Sequence, residues 1–313
     1  MKATILKQTG SVENFSIQEI KKPEIQENEV LVEIKALSIN PVDYKVRGNE
    51  ELLTMIYGSQ RPAILGWDIA GIVSETGSQV KQFSIGDKVF GMVNFPGAGN
   101  AYAEYVNAPV DHLARIPGDI SFGEAAASTL AALTALQVLK DKVKKGDRVL
   151  IHAGSGGVGH FAIQIAKHLG AFVISTSSAK NKDFIMSLGA DEHIDYRAQA
   201  FQDILSDMDF VFDMFNGDIL LNSVKVVKKG GTIVSIPTPE FSEEIKDLAT
   251  ERGVELIFHM VQSDSEDMET IANLLDNGIV KAHISERFSF ENIANAHKHL
   301  ESGRTVGKVV VDM

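Results

Sequence analysis

The sequence predicts an α/β chain, a β-rich first part followed by a doubly wound parallel sheet. Three observations predict it. Residues 148–153, Arg148-Val-Leu-Ile-His-Ala153, read as a short buried strand, and Gly154, Gly156 and Gly159 then fit the spacing G-x-G-x-x-G. Next, Val158, Phe161, Ala162, Ile165, Ala166 and Leu169 recur at offsets of three and four, the period of an amphipathic helix that Gly170 would end. Finally, strand and helix patterns alternate from 148 onward, whereas residues 1–118 break into short apolar runs punctuated by Gly, Pro, Asn and Asp.

The order strand, glycine turn, helix is the context in which this spacing holds a dinucleotide. One glycine permits a tight turn, the next lets backbone approach a pyrophosphate, and the third lets helix and strand pack closely. The free N–H groups and partial positive charge of the helix start then face the phosphates. The expected cradle is Gly154, Ser155, Gly156, Gly157, Val158 and Gly159.

In chain order, strand-like runs include 30–36, 68–73 and 88–93, the punctuation of a barrel or sandwich. Residues 122–140, rich in alanine and leucine, predict a helix leading into the glycine-turn strand. Further strands are expected at 171–176, 193–195, 210–213, 231–236 and 254–258, with helices near 182–188, 199–206, 218–228 and 242–250. The tail predicts helices near 265–277 and 291–301 and a last strand, 308–312, returning to the first domain. The expected domains are 1–118 with 264–313, and 119–263.

Composition narrows the function. The chain has 313 residues, 44% hydrophobic and 23% charged, an ordinary globular balance. A net charge of -12 argues against nucleic acid and anionic membrane as partners. Cysteine is absent, which removes disulfides, thiolate zinc sites and a cysteine nucleophile, and suits a cytoplasmic protein. The first 20 residues show no apolar signal core, and no apolar run is long enough to span a bilayer. The histidines His160, His168, His297 and His299 read as solvated or capping residues.

The second strand of the parallel sheet carries the cofactor choice. An NAD-specific strand usually ends in Asp or Glu, about 20 residues past the glycines, to hold the ribose 2′-OH. Here it ends Ser175-Thr-Ser-Ser178, followed by Lys180 and Lys182. Hydroxyls and cations suit a 2′-phosphate, which a carboxylate would repel, so NADPH is expected, with Ser177, Ser178 and Lys182 around the phosphate. A plain helix cap by Ser178 with two solvated lysines would also produce this pattern.

The chain resembles the medium-chain dehydrogenase/reductase superfamily in its zinc-free quinone oxidoreductase branch. The resemblance rests on Asn40-Pro-Val-Asp-Tyr-Lys-Val-Arg-Gly48, Gly66-Trp-Asp-Ile-Ala-Gly71, Gly86-Asp-Lys-Val-Phe-Gly91, Ala101-Tyr-Ala-Glu-Tyr105, Leu133-Thr-Ala135, the glycine turn, Leu188-Gly-Ala-Asp191 and Gly307-Lys-Val-Val310. It implies a chaperonin-10-like β-barrel substrate domain plus a Rossmann domain, with the active site in the cleft between them. The metal-ligand positions of zinc-dependent relatives correspond to Asn40, Trp67 and Leu130, none of which offers a thiolate or imidazole.

The resemblance also implies Asn40 and Thr134 beside the nicotinamide and Tyr196 near the adenine ribose phosphate. Relatives often have lysine at the position of Asn181. Asp43, Tyr44 and Lys45 fall in the loop that reaches the active site in relatives, so they are the candidate catalytic residues, Lys45 first. Tyr57 matches a loop whose tyrosines line the quinone site, and segments 49–61 and 94–100 are expected to shape the pocket. The expected function is reduction of quinones or α,β-unsaturated carbonyls by NADPH. Alternatives are an enoyl-thioester reductase and a non-catalytic NADPH-binding redox sensor. The apolar segment 254–261 reads as a sheet edge that relatives pair across a two-fold axis, so a homodimer is expected.

Overall fold

The computed structural model describes residues 1–59 and 61–313. Strand β1 (Lys2–Leu6) pairs antiparallel with β2 (Phe15–Glu19) on one side and β4 (Ala63–Ile64) on the other. The long β3 (Glu29–Ile39) is buried along most of its length. It stops where Asn40 and Pro41 open α1 (Pro41–Gly48), proline at a first helical position having no N–H to leave unpaired. Helix α2 (Glu50–Tyr57) follows, its Leu52 N–H donating to the Asn49 side chain at 3.0 Å. Tyr57 therefore sits at a helix end rather than in the loop expected for it. Gln60, within the expected pocket segment 49–61, lies outside the described residues.

Strands β5 (Asp68–Thr76), β6 (Lys88–Met92), β7 (Tyr105–Pro109) and β8 (Leu113–Arg115) build a second sheet around β3. The helix expected over 122–140 is two helices, α3 (Phe122–Ala127) and α4 (Leu130–Leu139). Ser128 and Thr129 break it by turning their hydroxyls back onto Glu124 O and Ala126 O, both at 2.8 Å, in place of the helical pattern.

Alternation then sets in: β9 (Arg148–Ile151), α5 (Gly159–His168), β10 (Phe172–Ser177), α6 (Lys182–Ser187), β11 (Glu192–Asp195), β12 (Met208–Asp213), α7 (Gly217–Val226), β13 (Val227–Ser235), α8 (Glu243–Arg252) and β14 (Glu255–Phe258). The sheet order is β11-β10-β9-β12-β13-β14, every neighbouring pair parallel. This is the doubly wound dinucleotide-binding order, in which ligands meet the carboxyl ends of the strands where the order reverses, here between β9 and β12. The helix expected over 199–206 shrinks to a turn at Phe201–Asp203. Phe201 is its one buried anchor, edge-on to His152 at 4.8 Å, while Ile204 is half exposed, so no apolar stripe forms.

The tail carries α9 (Ser265–Asp276), β15 (Ile284–Ser289), α10 (Ile293–Glu301) and β16 (Lys308–Asp312). β16 runs antiparallel to β3 and parallel to β15, which joins the tail to the sheet around β3. β15, short and mostly half exposed, left no readable pattern in the sequence. The chain forms two compact units, Met1–Leu133 with Val261–Met313, and Thr134–Met260. Among the described residues no helix is long and apolar enough to cross a membrane.

The turn from β9 into α5 needs glycine for proximity. Its left-handed residue is Ala153, at φ 49°. A Cβ on Gly154 would lie 1.9 Å from Ser175 Oγ, and one on Gly159 would lie 2.3 Å from Ala153 O and 2.7 Å from the Gly154 Cα. At Gly156 the nearest atom would be Ala153 O at 3.2 Å, a tight approach but a far milder one. Gly159→Ala is therefore expected to lower stability by about 1–3 kcal/mol, the usual effect of overpacking. Gly156→Ala should stay within about 1 kcal/mol of the parent. Urea unfolding monitored by circular dichroism checks both.

Candidate active site

In the second unit the Gly154–Gly159 turn follows the carboxyl end of β9, Ser177 and Ser178 lie at the end of β10, Lys182 opens α6 and Tyr196 follows β11, whereas Asn40 belongs to the first unit. No side chain caps the start of α5, whose N-cap is Val158, and in the turn before it Gly154 N donates to Thr176 O at 3.0 Å and Gly156 N to Ala153 O at 2.8 Å. Asn181 Nδ2 donates to Ser155 Oγ at 2.9 Å, tying the turn to the segment after β10. Ser175 donates to Ile151 O at 2.8 Å and so belongs to the sheet interior. Ser177 is also turned inward: its hydroxyl donates to Ser178 O at 3.0 Å and lies 2.9 Å from His193 Nε2. Ser178 follows at the end of β10, Lys182 is exposed at the start of α6, and Tyr196 is 57% exposed with the Arg197 guanidinium over its ring. Thr134 is buried in α4.

His152, next to the turn, had no expected role. It is buried, with Nδ1 3.2 Å from Thr176 Oγ1 and Nε2 3.0 Å from Ser223 Oγ. Burial lowers its pKa to about 3, so it is a neutral link between β9, β10 and α7. His160 is likewise buried, with Nδ1 3.0 Å from Gly156 O, so of the solvated and capping roles expected for it the solvated one does not hold.

In the first unit, the end of β3, the start of β5, the start of α4 and the start of β16 converge on one buried polar cluster. Asn40 Nδ2 donates to Asp68 Oδ2 at 2.7 Å, and Leu130 N donates to Asp68 Oδ1 at 3.0 Å. Lys308 Nζ donates to Asn40 Oδ1 and lies 3.6 Å from Asp68 Oδ2. Burial pushes the Asp68 carboxyl up and the Lys308 ammonium down, each opposed by the charge of the other. Asp43 is buried one helical turn on, its Oδ2 accepting from Asn40 N at 2.7 Å. Burial raises its pKa to about 7 against that hydrogen bond, and the Asp68 charge adds to the rise.

The three catalytic candidates on α1 separate. Asp43 faces the core, Tyr44 is half buried and Lys45 is exposed. Burial raises the Tyr44 phenol above its ordinary value, with Glu301 adding to the rise. Tyr57 packs against Trp67 at 6.2 Å, and burial followed by the Asp43 charge pushes its phenol well up. Trp67 donates to Gly97 O at 2.7 Å, so the segment 94–100 is pinned to it. His297, expected to be solvated or capping, is buried with Nε2 2.9 Å from the Tyr102 hydroxyl, and burial lowers its pKa to about 3.

Residues 26–118 match the family pattern described as the alcohol dehydrogenase GroES-like domain, and residues 188–311 match the one described as zinc-binding dehydrogenase. The chain is 35% identical to a 2-methylene-furan-3-one reductase of Solanum lycopersicum over 99% of its own length and 79% of the relative's. The chain belongs to the medium-chain dehydrogenase/reductase superfamily. Within this superfamily it is similar to the quinone oxidoreductase of Coxiella burnetii, with 36% identity, a TM-score of 0.93 and coverage of 100% and 99% of the two chains. The Escherichia coli quinone oxidoreductase complexed with NADPH superposes with a TM-score of 0.88 at 27% identity, both chains covered in full.

The family implies a nicotinamide cofactor, and the second unit fits one: the start of α5, which no side chain caps, is suited to a pyrophosphate. The name of the second pattern implies zinc, and the first unit does not fit it. Asn40, Trp67 and Leu130 supply an amide, an indole and an alkyl group, and the adjacent Asp68 is engaged by Asn40, Leu130 N and Lys308. Among the described residues no group of three or more His, Cys, Asp or Glu could hold a metal ion.

Asp43 makes a pH prediction. The native carboxyl keeps its proton up to about pH 7, whereas in the unfolded chain it ionises at about pH 4. Between these limits the folded state binds more protons, so the Asp43 contribution is full at low pH and lost as pH rises to about 7. Asp43→Asn should remove this term. The stability difference between wild type and variant is expected to change by at most about 1.4 kcal/mol per pH unit across the window, wild type losing ground as pH rises. Paired urea titrations at several pH values measure it.

Proposed function

We propose that this chain is an NADPH-dependent reductase that transfers a hydride to quinones or to the β-carbon of α,β-unsaturated carbonyls, without a metal. The observation that carries the reading is the donor set at Asn40, Trp67 and Leu130, where an amide is tied to a carboxylate and an ammonium. Oxidising an unactivated alcohol calls for a Lewis acid to hold the developing alkoxide. A quinone or conjugated enone spreads the incoming charge over its own π-system and needs little more than positioning and a hydrogen bond. The names of the tomato and Coxiella burnetii relatives, an enone reductase and a quinone oxidoreductase, support the same acceptor class.

Bound NADPH supplies the hydride. The turn from Gly154 to Gly159 holds the pyrophosphate. Because the Ser177 hydroxyl is already bonded to Ser178 O and His193, its role is to shape the strand end, and Ser178, Lys182 and Tyr196 meet the 2′-phosphate. Asn40 and Thr134 orient the ring. Asp43 is sealed in the core, so Tyr44 and Lys45 are the residues of α1 that can reach an acceptor oxygen. Lys45→Ala should lose part of the rate and not all of it. β14 is a sheet edge, and we place the two-fold axis of a homodimer along it.

NADPH should bind at least about tenfold more tightly than NADH, the contribution of one charge-assisted hydrogen bond to the 2′-phosphate. Fluorescence titration of both cofactors measures it, and equal affinity contradicts it. The protein should oxidise NADPH with a panel of quinones and enones at rates that survive a chelator, and simple alcohols should give no turnover with NADP. Light scattering at micromolar concentration should give about twice 34.0 kDa; a mass near that of one chain argues against the dimer.

A further inference from the structure

Gly307-Lys308 belongs to the sequence motifs of the family, yet the reading above gives Lys308 no function. The structure places it at the head of β16, 3% exposed, 268 residues along the chain from the amide it bonds. A buried ammonium persists only where partners compensate its lost hydration. The three partners here are Asn40 Oδ1, the carboxylate of Asp68 at 3.6 Å, and Ile39 O at 3.4 Å.

The consequence falls on Asn40. A carboxamide offers two N–H donors and two lone pairs. One lone pair is taken by Lys308 and one N–H by Asp68. Turning the amide over would set its NH2 group against the ammonium and its oxygen against the carboxylate, so the two charges allow one orientation only. The ammonium also draws charge toward the carbonyl end, which strengthens the remaining N–H as a donor.

We infer that Lys308 is a positioning residue: with Asp68 it locks and polarises the Asn40 carboxamide, so that the second Nδ2–H is a fixed donor to a ligand carbonyl oxygen. The inference rests on the proposal that Asn40 serves the reacting ligands. The carbonyl belongs either to the carboxamide of the nicotinamide or to the hydride acceptor. A donor fixed in place before charge develops on that oxygen needs no reorganisation as the hydride arrives.

The test compares wild type with Lys308→Met and Lys308→Arg. The side-chain NH2 resonances of Asn40, identified by their loss in Asn40→Ala, are recorded in ligand-free protein. NADPH affinity and the kcat and KM for one quinone and one enone are measured alongside thermal melting. Lys308→Met should shift the Asn40 resonances and lower NADPH affinity or acceptor turnover by about 10- to 100-fold, as for partners that orient a ligand-binding group elsewhere. A loss in NADPH affinity assigns the donor to the nicotinamide, and a loss in kcat or kcat/KM at unchanged NADPH affinity assigns it to the acceptor. Lys308→Arg, which keeps the charge, should recover most of the loss. Should Lys308→Met fail to fold, Asp68→Asn removes the other charge and must move the same readouts. If wild type turns over no acceptor, the reductase reading fails, while the resonances and NADPH affinity still decide the positioning role. Unchanged Asn40 resonances overturn it, as does a folded Lys308→Met protein with wild-type affinity and kinetics.

Discussion

One buried cluster in the first unit holds two carboxyl groups and one ammonium, and none of the three can be left without a partner there. Much of that unit's architecture meets this constraint. The end of β3 delivers Asn40, the start of β5 delivers Asp68, and β16 crosses back against β3 to deliver Lys308. The break between α3 and α4 frees the Leu130 N–H for Asp68. Asp43, one helical turn from Asn40, has the Asn40 N–H and the Tyr102 hydroxyl as partners, and burial still raises its carboxyl to near neutrality.

The second unit is organised by close approach of backbone to backbone. Gly154 lies against Ser175 and Gly159 against Ala153, so β9 and α5 pack at a separation that any side chain would prevent. The same turn leads into a helix start that no side chain caps. A neutral His152 bridges to Thr176 and Ser223 and holds the ends of β9 and β10 together, adding no charge beside the proposed phosphate site.

Much of this was legible in the sequence because the signals are local. The glycine spacing, the helix after it and the hydroxyls ending β10 all lie within a few residues of what they determine. The alternation of strands and helices was equally legible, except near 199–206, where one buried phenylalanine without a continuing apolar stripe makes only a turn. The charge cluster was not legible, because its members meet only once β16 has folded back onto β3. On α1 the spacing of Asp43, Tyr44 and Lys45 does not say which faces the core, and the residue that chemistry favoured, Lys45, is the exposed one. His160 and His297 read as solvated or capping because polarity alone suggests water or a helix end, yet both are buried, one against the backbone of the glycine turn and the other against a buried phenol. The inward turn of Ser177 depends on His193, a residue on the neighbouring strand.

On the proposed function this chain moves a hydride from a nicotinamide to an electron-poor carbon by positioning and hydrogen bonding, without a metal. Tracing the isotope follows that hydride. NADPH carrying deuterium at C4 of the nicotinamide, on the transferred face, is incubated with a simple enone and chelator-treated protein, and the product is read by NMR. One deuterium is expected at the β-carbon for each NADPH oxidised, with the proton at the α-carbon drawn from solvent. Deuterium lost to water, or transfer that stops on chelation and returns with zinc, would contradict it.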